Sequence, residues 1–306
     1  MEGAKLVEAA ALAAQGQQYP AGALYVVATP IGNLADVTLR AIHVLALVDA
    51  VACEDTRHSA ALLRSLAITK PLIAVHEHNE RSAAAAVRER LARGERIAYI
   101  SDAGTPAVSD PGAGLVAAAR AAGHRVVPIP GASSALAAFS VAGDAASTGF
   151  AFAGFLPARG GERTRAVAAI ARAPMSQVVF EAPHRIESLA SALAAACPER
   201  TTTVCRELTK QFETVATMPA RELVGWLAAD ANRARGEFVL VLHAAAAAQN
   251  EAESVHDAVL VPLLAALPLK QAVALAAEIS GAPRNLLYGR ALALKGAAPS
   301  ASEAAP

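Results

Sequence analysis

The chain has 306 residues, 27 Lys+Arg against 27 Asp+Glu, and a hydrophobic fraction of 54%, much of it alanine. That length allows two ordinary domains, and the zero net charge argues against a globally basic nucleic-acid binder while leaving room for a local patch. Apolar stretches such as residues 258–269 are short or broken by proline, so no membrane span is expected. Cys53, Cys197 and Cys205 form no CxxC pair, which fits a reducing cytoplasm.

The first 22 residues carry Glu2 and Glu8 and lack a basic segment before a compact apolar core. They read as a disordered leader, not a signal peptide. Short β-branched runs follow at 24–29, 50–54, 72–76, 96–101 and 125–130, separated by amphipathic stretches such as 81–93 and 114–122. This rhythm predicts a mostly parallel sheet covered on both faces over residues 23–132. Asp55 or Thr56 marks the entry of one helix, and Ser133 or Ser134 that of another.

From about Phe150 the pattern changes. Strands are expected at 151–156, 177–181 and 201–208, and 211–219 follows so closely that it should be an antiparallel partner. The run 236–243 closes a mixed-sheet domain, 133–243. Residues 244–256 read as a linker and 257–295 as a helical module, with two helices joined by a Gly-Ala-Pro turn beyond Pro268. Residues 296–306 read as a disordered tail.

Three turn-rich loops stand at strand ends: ATPIGNLADVTLRA (28–41), YISDAGTPAVSDPG (99–112) and VVPIPGASSA (126–135). There is no GxGxxG after the first strand and no GxxxxGK[ST] anywhere, which argues against dinucleotide binding and P-loop chemistry. Instead the loops expose main-chain N–H and C=O groups, against which a polar cofactor can lie. Any one of these turns is equally well explained as a simple chain reversal; three at successive strand ends point to a site.

The motifs TPIGNLADVT, CEDTRHS, HEHNE, SDAGTPAVSDPG, PGASSA, GFLPARGGER, FEAPHR, CRELTKQFE and RGEFVLVL occur in this order over about residues 24–243. Together they resemble the ribosomal RNA small subunit methyltransferase I family of the tetrapyrrole-methylase superfamily. The resemblance implies two α/β domains with an S-adenosylmethionine cleft between them and the small helical C-terminal module. It further implies 2′-O-methylation of a cytidine ribose in the decoding region of 16S rRNA, in free rRNA or in the 30S subunit, by a cytoplasmic homodimer. By the same resemblance, Gly104, Pro106 and Val108 flank the methionine part of the cofactor, and Ser133 and Ser134 bond its polar end. Phe180, Glu181, Glu237 and Phe238 border the adenosyl part. Thr105 stands where relatives carry an acidic residue. The loop Thr29-Pro30-Ile31-Gly32-Asn33 replaces the glycine-rich first loop of small-molecule methylases, and Pro30 and Gly32 are counted with the cofactor set.

Methyl transfer from a sulfonium to a hydroxyl needs no metal, only alignment and a proton acceptor. The acidic candidates are Glu54 and Asp55, with Glu181 and Glu207 as alternatives and Arg57 beside the first pair. Glu54 and Asp55 read equally well as helix caps. His184, Arg185, Arg206 and Lys210 are candidate RNA contacts, although Arg206-Glu207 also reads as an ion pair and His184 as a general base or a helix-start residue. Lys270, Arg284 and Arg290 are either rRNA contacts or solvated helix-face charges. His76-Glu77-His78 invites a zinc reading but has no spaced third ligand. The rival functions are a tetrapyrrole-type small-molecule methylase of the same fold and a non-catalytic ribosome-binding relative.

Overall fold

A computed structural model describes residues 2–76, 79–245 and 249–296. The chain divides into two compact units, residues 1–243 and 244–306. In the first unit, β1 (Ala23–Val27), β2 (Ala50–Cys53), β3 (Leu72–Ala74), β4 (Ile97–Ile100) and β5 (Arg125–Ile129) form a sheet in the order β3-β2-β4-β1-β5. Every pairing in it is parallel. The strands are apolar on both faces because both are covered. Tyr25, Val51 and Ala98 pack with Ile42, Leu45 and Leu63, which lie on helices that follow β1 and β2. Leu24, Ala52 and Tyr99 pack with Val87, Leu91 and Leu115 on the opposite side.

The residues expected to be a disordered leader include a helix, α1 (Glu2–Ala14), with Ala10 and Ala14 buried. Val7, Ala10, Ala11 and Ala14 recur at helical spacing, and their small side chains let α1 approach α2 (Leu39–Leu47). Tyr19, just beyond α1, meets His43 of α2 at a ring separation of 4.8 Å. Helices α3 (Thr56–Ser65), α4 (Glu80–Ala92) and α5 (Ala113–Ala121) complete this half.

Helix α6 (Ser134–Ala142) leads into the second sheet, built of β6 (Phe150–Phe155), β7 (Ser176–Glu181), β8 (Thr201–Arg206), β9 (Thr214–Pro219) and β10 (Phe238–Leu242). Its order is β6-β7-β10-β8-β9, with β6 parallel to β7 and the other pairings antiparallel. The short β8–β9 connection forces the hairpin that the sequence predicts. Helices α7 (Gly160–Arg172), α8 (Ile186–Ala196) and α9 (Leu223–Ala228) cover one face, and α6 covers the other.

The second unit contains α10 (Gln249–Ala266), α11 (Leu269–Ser280) and α12 (Arg284–Gly296) around Leu260, Val273, Ala276, Leu287 and Ala291. The expected linker 244–256 is therefore shorter, because the Ala, Gln and Glu that make it look featureless are strong helix formers. Gly281, at φ +69°, ends α11 in the left-handed region. Arg290, a candidate rRNA contact, instead grips Asp257 through two hydrogen bonds of 2.8 and 2.7 Å. Residues 297–306 of the expected tail lie outside the described residues.

Candidate active site

The three turn-rich loops meet because β4, β1 and β5 are neighbours. Thr29 and Gly104 exchange both main-chain hydrogen bonds, at 2.9 and 3.0 Å, which ties the loop after β1 to that after β4. Thr105 Oγ1 donates to the Ala132 carbonyl at 3.1 Å, tying the latter to the loop after β5. Gly104 sits at φ +78°, and Ala107 at φ +61° holds a conformation that costs a non-glycine residue about 1–2 kcal/mol.

Opposite these loops stand the ends of β6, β7 and β8 and the start of β10, enclosing a cavity of about 410 Å³. From the first half, Gly104, Thr105, Val108, Ser133 and Ser134 border it, and from the second Phe180, Glu181, Glu237 and Phe238. Pro30, Gly32 and Pro106 do not; Ile31, between the first two, does. Sequence reasoning missed Asp110, Phe155, Cys205 and Leu208. Phe155 falls within the expected strand 151–156, but only the parallel pairing of β6 with β7 brings it beside Phe180, at a ring separation of 5.6 Å.

Glu181 has a side chain with 0% exposure, so it borders the cavity through its main chain. Its carboxylate lies 3.2 Å from Arg163 and 2.9 Å from Arg185 Nε. Arg185, expected to contact RNA, also donates to the carbonyls of Leu156 and Pro157 at 2.5 and 3.2 Å. Arg163 donates to Pro157 as well, so the buried carboxylate and two guanidinium groups together fix the chain that carries Phe155.

Arg206 likewise donates to main-chain carbonyls, those of Arg235 at 2.5 Å and Phe212 at 3.2 Å, in place of an ion pair with Glu207. Lys210 Nζ lies 2.9 Å from both Glu207 and Glu237. Its aliphatic stem covers Gly32, where an added Cβ would come within 2.5 Å of Lys210 Cγ. Gly32 thus lets the second half close over the first loop. Glu207 and Thr209 both adopt positive φ, +53° and +65°, in this turn, local strain of a kind that gathers at functional sites.

Asp55 caps α3, accepting from the Arg57 amide at 2.7 Å, and its side chain pairs with Arg57. The Arg57 side chain is 91% exposed. Neither residue borders the cavity, and nor does Glu54. Burial first, then the carboxylates of Asp110, Asp102 and Asp55, push Glu54 above the usual carboxylate range. His184 is exposed on the loop after Pro183. Glu77 and His78 lie outside the described residues, and among the described residues no group of three or more His, Cys, Asp or Glu is placed to hold a metal ion.

The donor set suits S-adenosylmethionine. Ser133 caps α6 through the Leu136 amide. The Ser134 and Ala135 amides at the first turn have no partner among the described residues and suit a carboxylate. Phe155 and Phe180 offer aromatic surface to a base, and burial pushes the Cys205 thiol up to about 12, so it takes no part in charge chemistry.

Two α/β sheets facing each other across such a cleft define the tetrapyrrole-methylase class. The family model for Tetrapyrrole (Corrin/Porphyrin) Methylases matches residues 23–224, and that for the RsmI C-terminal HTH domain matches residues 248–295. A ribosomal RNA small subunit methyltransferase I from Pseudomonas aeruginosa is 49% identical over 279 residues, 90% of this chain and 99% of that one. The protein of the same name from Escherichia coli O157:H7 is 45% identical, covering 90% and 96%. A crystal structure of uroporphyrin-III C-methyl transferase from Thermus thermophilus complexed with S-adenyl homocysteine shares the fold at TM-score 0.51 and 18% identity, over 71% of this chain and 96% of that one. The chain belongs to the ribosomal RNA small subunit methyltransferase I family.

Proposed function

We propose that this protein transfers the methyl group of S-adenosylmethionine to the 2′-hydroxyl of a cytidine in the decoding region of 16S rRNA. We further propose that it does so in the cytoplasm and as a homodimer. The observation that carries the reading is the cavity between the two sheets, lined by the turn-rich loops of the first half and by Phe155 and Phe180 of the second. No helix among the described residues is long and apolar enough to cross a membrane. When bound, the cofactor supplies an electrophilic methyl on a sulfonium that leaves as a neutral thioether.

The chain's part is alignment. The α6 amides would hold the cofactor's carboxylate, Gly104, Thr105 and 237–239 would frame the donor, and Phe155 with Phe180 would offer a surface for the base, all being residues that line the cavity. Arg57, His184, Lys270 and Arg284 are the exposed members of the basic set expected to contact RNA, suited to phosphate or sugar contacts. Orientation is worth about 7–11 kcal/mol, against about 3–5 kcal/mol for proton acceptance, so misplacing the RNA should slow the reaction as much as losing a base.

The test incubates the protein with labelled cofactor and either 30S subunits, stripped 16S rRNA or a precorrin-type tetrapyrrole. Label in a cytidine ribose of the RNA supports the reading; label only in the tetrapyrrole overturns it. Native mass measurement checks the dimer, and a monomer at working concentration removes that part.

A further inference from the structure

We infer that Asp110, a residue of the loop between β4 and α5, accepts the proton of the ribose hydroxyl during methyl transfer. This inference rests on the methyltransferase reading above and names the group that completes it. Four ionisable side chains belong to residues bordering the cavity: Asp110, Glu181, Cys205 and Glu237. Glu181 is sealed from solvent between Arg163 and Arg185. Glu237 is bound to Lys210, and the Cys205 thiol is fully buried. A carboxylate held by a cation is a poor proton acceptor, because protonation would break the pair. Asp110 alone of the four is neither fully buried nor held by a cation: no Lys, Arg or His among the described residues forms an ion pair with it, and its side-chain partner is the Ser101 hydroxyl.

Its neighbours suit the task. Ser101 and Asp102 face it from the end of β4, Glu54 approaches from the end of β2, and the Asp55 amide donates to Asp102 at 3.2 Å. Tyr99 beneath the loop lies in the field of Glu54, Glu80 and Asp110, of which Asp110 alone borders the cavity. Burial pushes the Asp110 carboxyl above the ordinary aspartate range; the Ser101 hydroxyl pulls it back, and Asp102 adds to the rise. A base moved towards neutrality takes a proton more readily.

The loop is held rigidly. Glu80 Oε1, from α4, accepts from the Gly112 and Leu115 amides at 3.1 Å each, and the Tyr99 hydroxyl donates to the Pro111 carbonyl at 2.5 Å. In the transfer, the ribose oxygen forms a bond to the methyl carbon and the carbon–sulfur bond breaks with its electron pair passing to sulfur. The hydroxyl proton goes to the Asp110 carboxylate and then to water. Asp102 acts as a positioning residue through its charge.

Single-turnover methylation of 30S subunits, with saturating cofactor between pH 5.5 and 9, tests this for the wild type, Asp110→Asn and Asp102→Asn. Asp110→Asn should lower the rate about 10²–10⁴-fold and flatten its pH dependence, while cofactor affinity by calorimetry stays within about twofold. The wild-type rate should fall as pH drops through the Asp110 midpoint. Asp102→Asn should move that midpoint down, an effect that a merely structural role would not produce. A wild-type rate and pH profile in Asp110→Asn overturns the inference, as does a loss explained wholly by weaker cofactor binding. If Asp110→Asn fails to fold, an unmoved midpoint in Asp102→Asn overturns it instead. A wild-type protein that labels no RNA at any pH overturns the methyltransferase reading itself, which is a separate result.

Discussion

Replacing Glu181 by Gln tests whether the wall of the cavity is set by a buried charge. The carboxylate is inaccessible to solvent and touches Arg163 and Arg185, whose remaining donors hold the Leu156 and Pro157 carbonyls. Gln keeps the shape but removes the charge, leaving two guanidinium groups largely buried without an anion. Breaking a buried pair in this way costs about 3–5 kcal/mol. For a unit spanning residues 1–243, at roughly 2–4 °C per kcal/mol, the melting temperature should fall by about 6–20 °C. Scanning calorimetry with far-ultraviolet circular dichroism measures this, and calorimetry at a temperature where the variant is folded should show weaker cofactor binding, because Phe155 is no longer fixed. A variant melting within about 2 °C of the wild type would show that no buried charge pair is lost with Glu181.

Gly112→Ala should destabilise by about 2–5 kcal/mol, read by urea unfolding: the residue sits at φ +119°, and a Cβ there would collide with the Tyr99 ring. A change below about 1 kcal/mol would mean that the loop can shift aside. In the native state iodoacetamide should leave Cys53 and Cys205 unmodified and reach Cys197 first, because the first two are fully buried and Cys197 is only partly so; early modification of Cys205, read by mass spectrometry, would contradict the packing described. Burial would raise Glu207, but the Glu237 amide and Lys210 outweigh it and hold it below the usual range. Its folded value being depressed, the stability it contributes is present above the unfolded value of about 4.3 and lost as pH falls through the folded value. Urea midpoints at pH 7 and pH 4 should therefore converge more in Lys210→Met than in the wild type, and an equal loss in both would remove this account.

The strands were legible because apolar runs of four to six residues between turn signals have few alternatives, and all ten appear within a few residues of the expected places. The caps at Asp55 and Ser133 were legible for the same local reason. Helix α1 was not: alanines at helical spacing look the same in a solvated segment and in one pressed against α2, and only a partner tells them apart. The charged residues were legible as a set but not by role. Arg185 and Arg206 look like phosphate ligands in the sequence, whereas their donors go to carbonyls whose positions depend on how β6, β7 and the 235–237 turn pack.

By itself the sequence determined the elements, their order and the Gly- and Pro-rich loops at three strand ends, because periodicity, capping and turn chemistry act over a few residues. Only the fold brings Thr29, Gly104 and Ala132 together, seals Glu181 between two guanidinium groups, and leaves Asp110 at the cavity with no cation paired to it among the described residues. Those outcomes depend on strand order and on which side chains exclude water from which charges, and residues far apart in the chain settle them together.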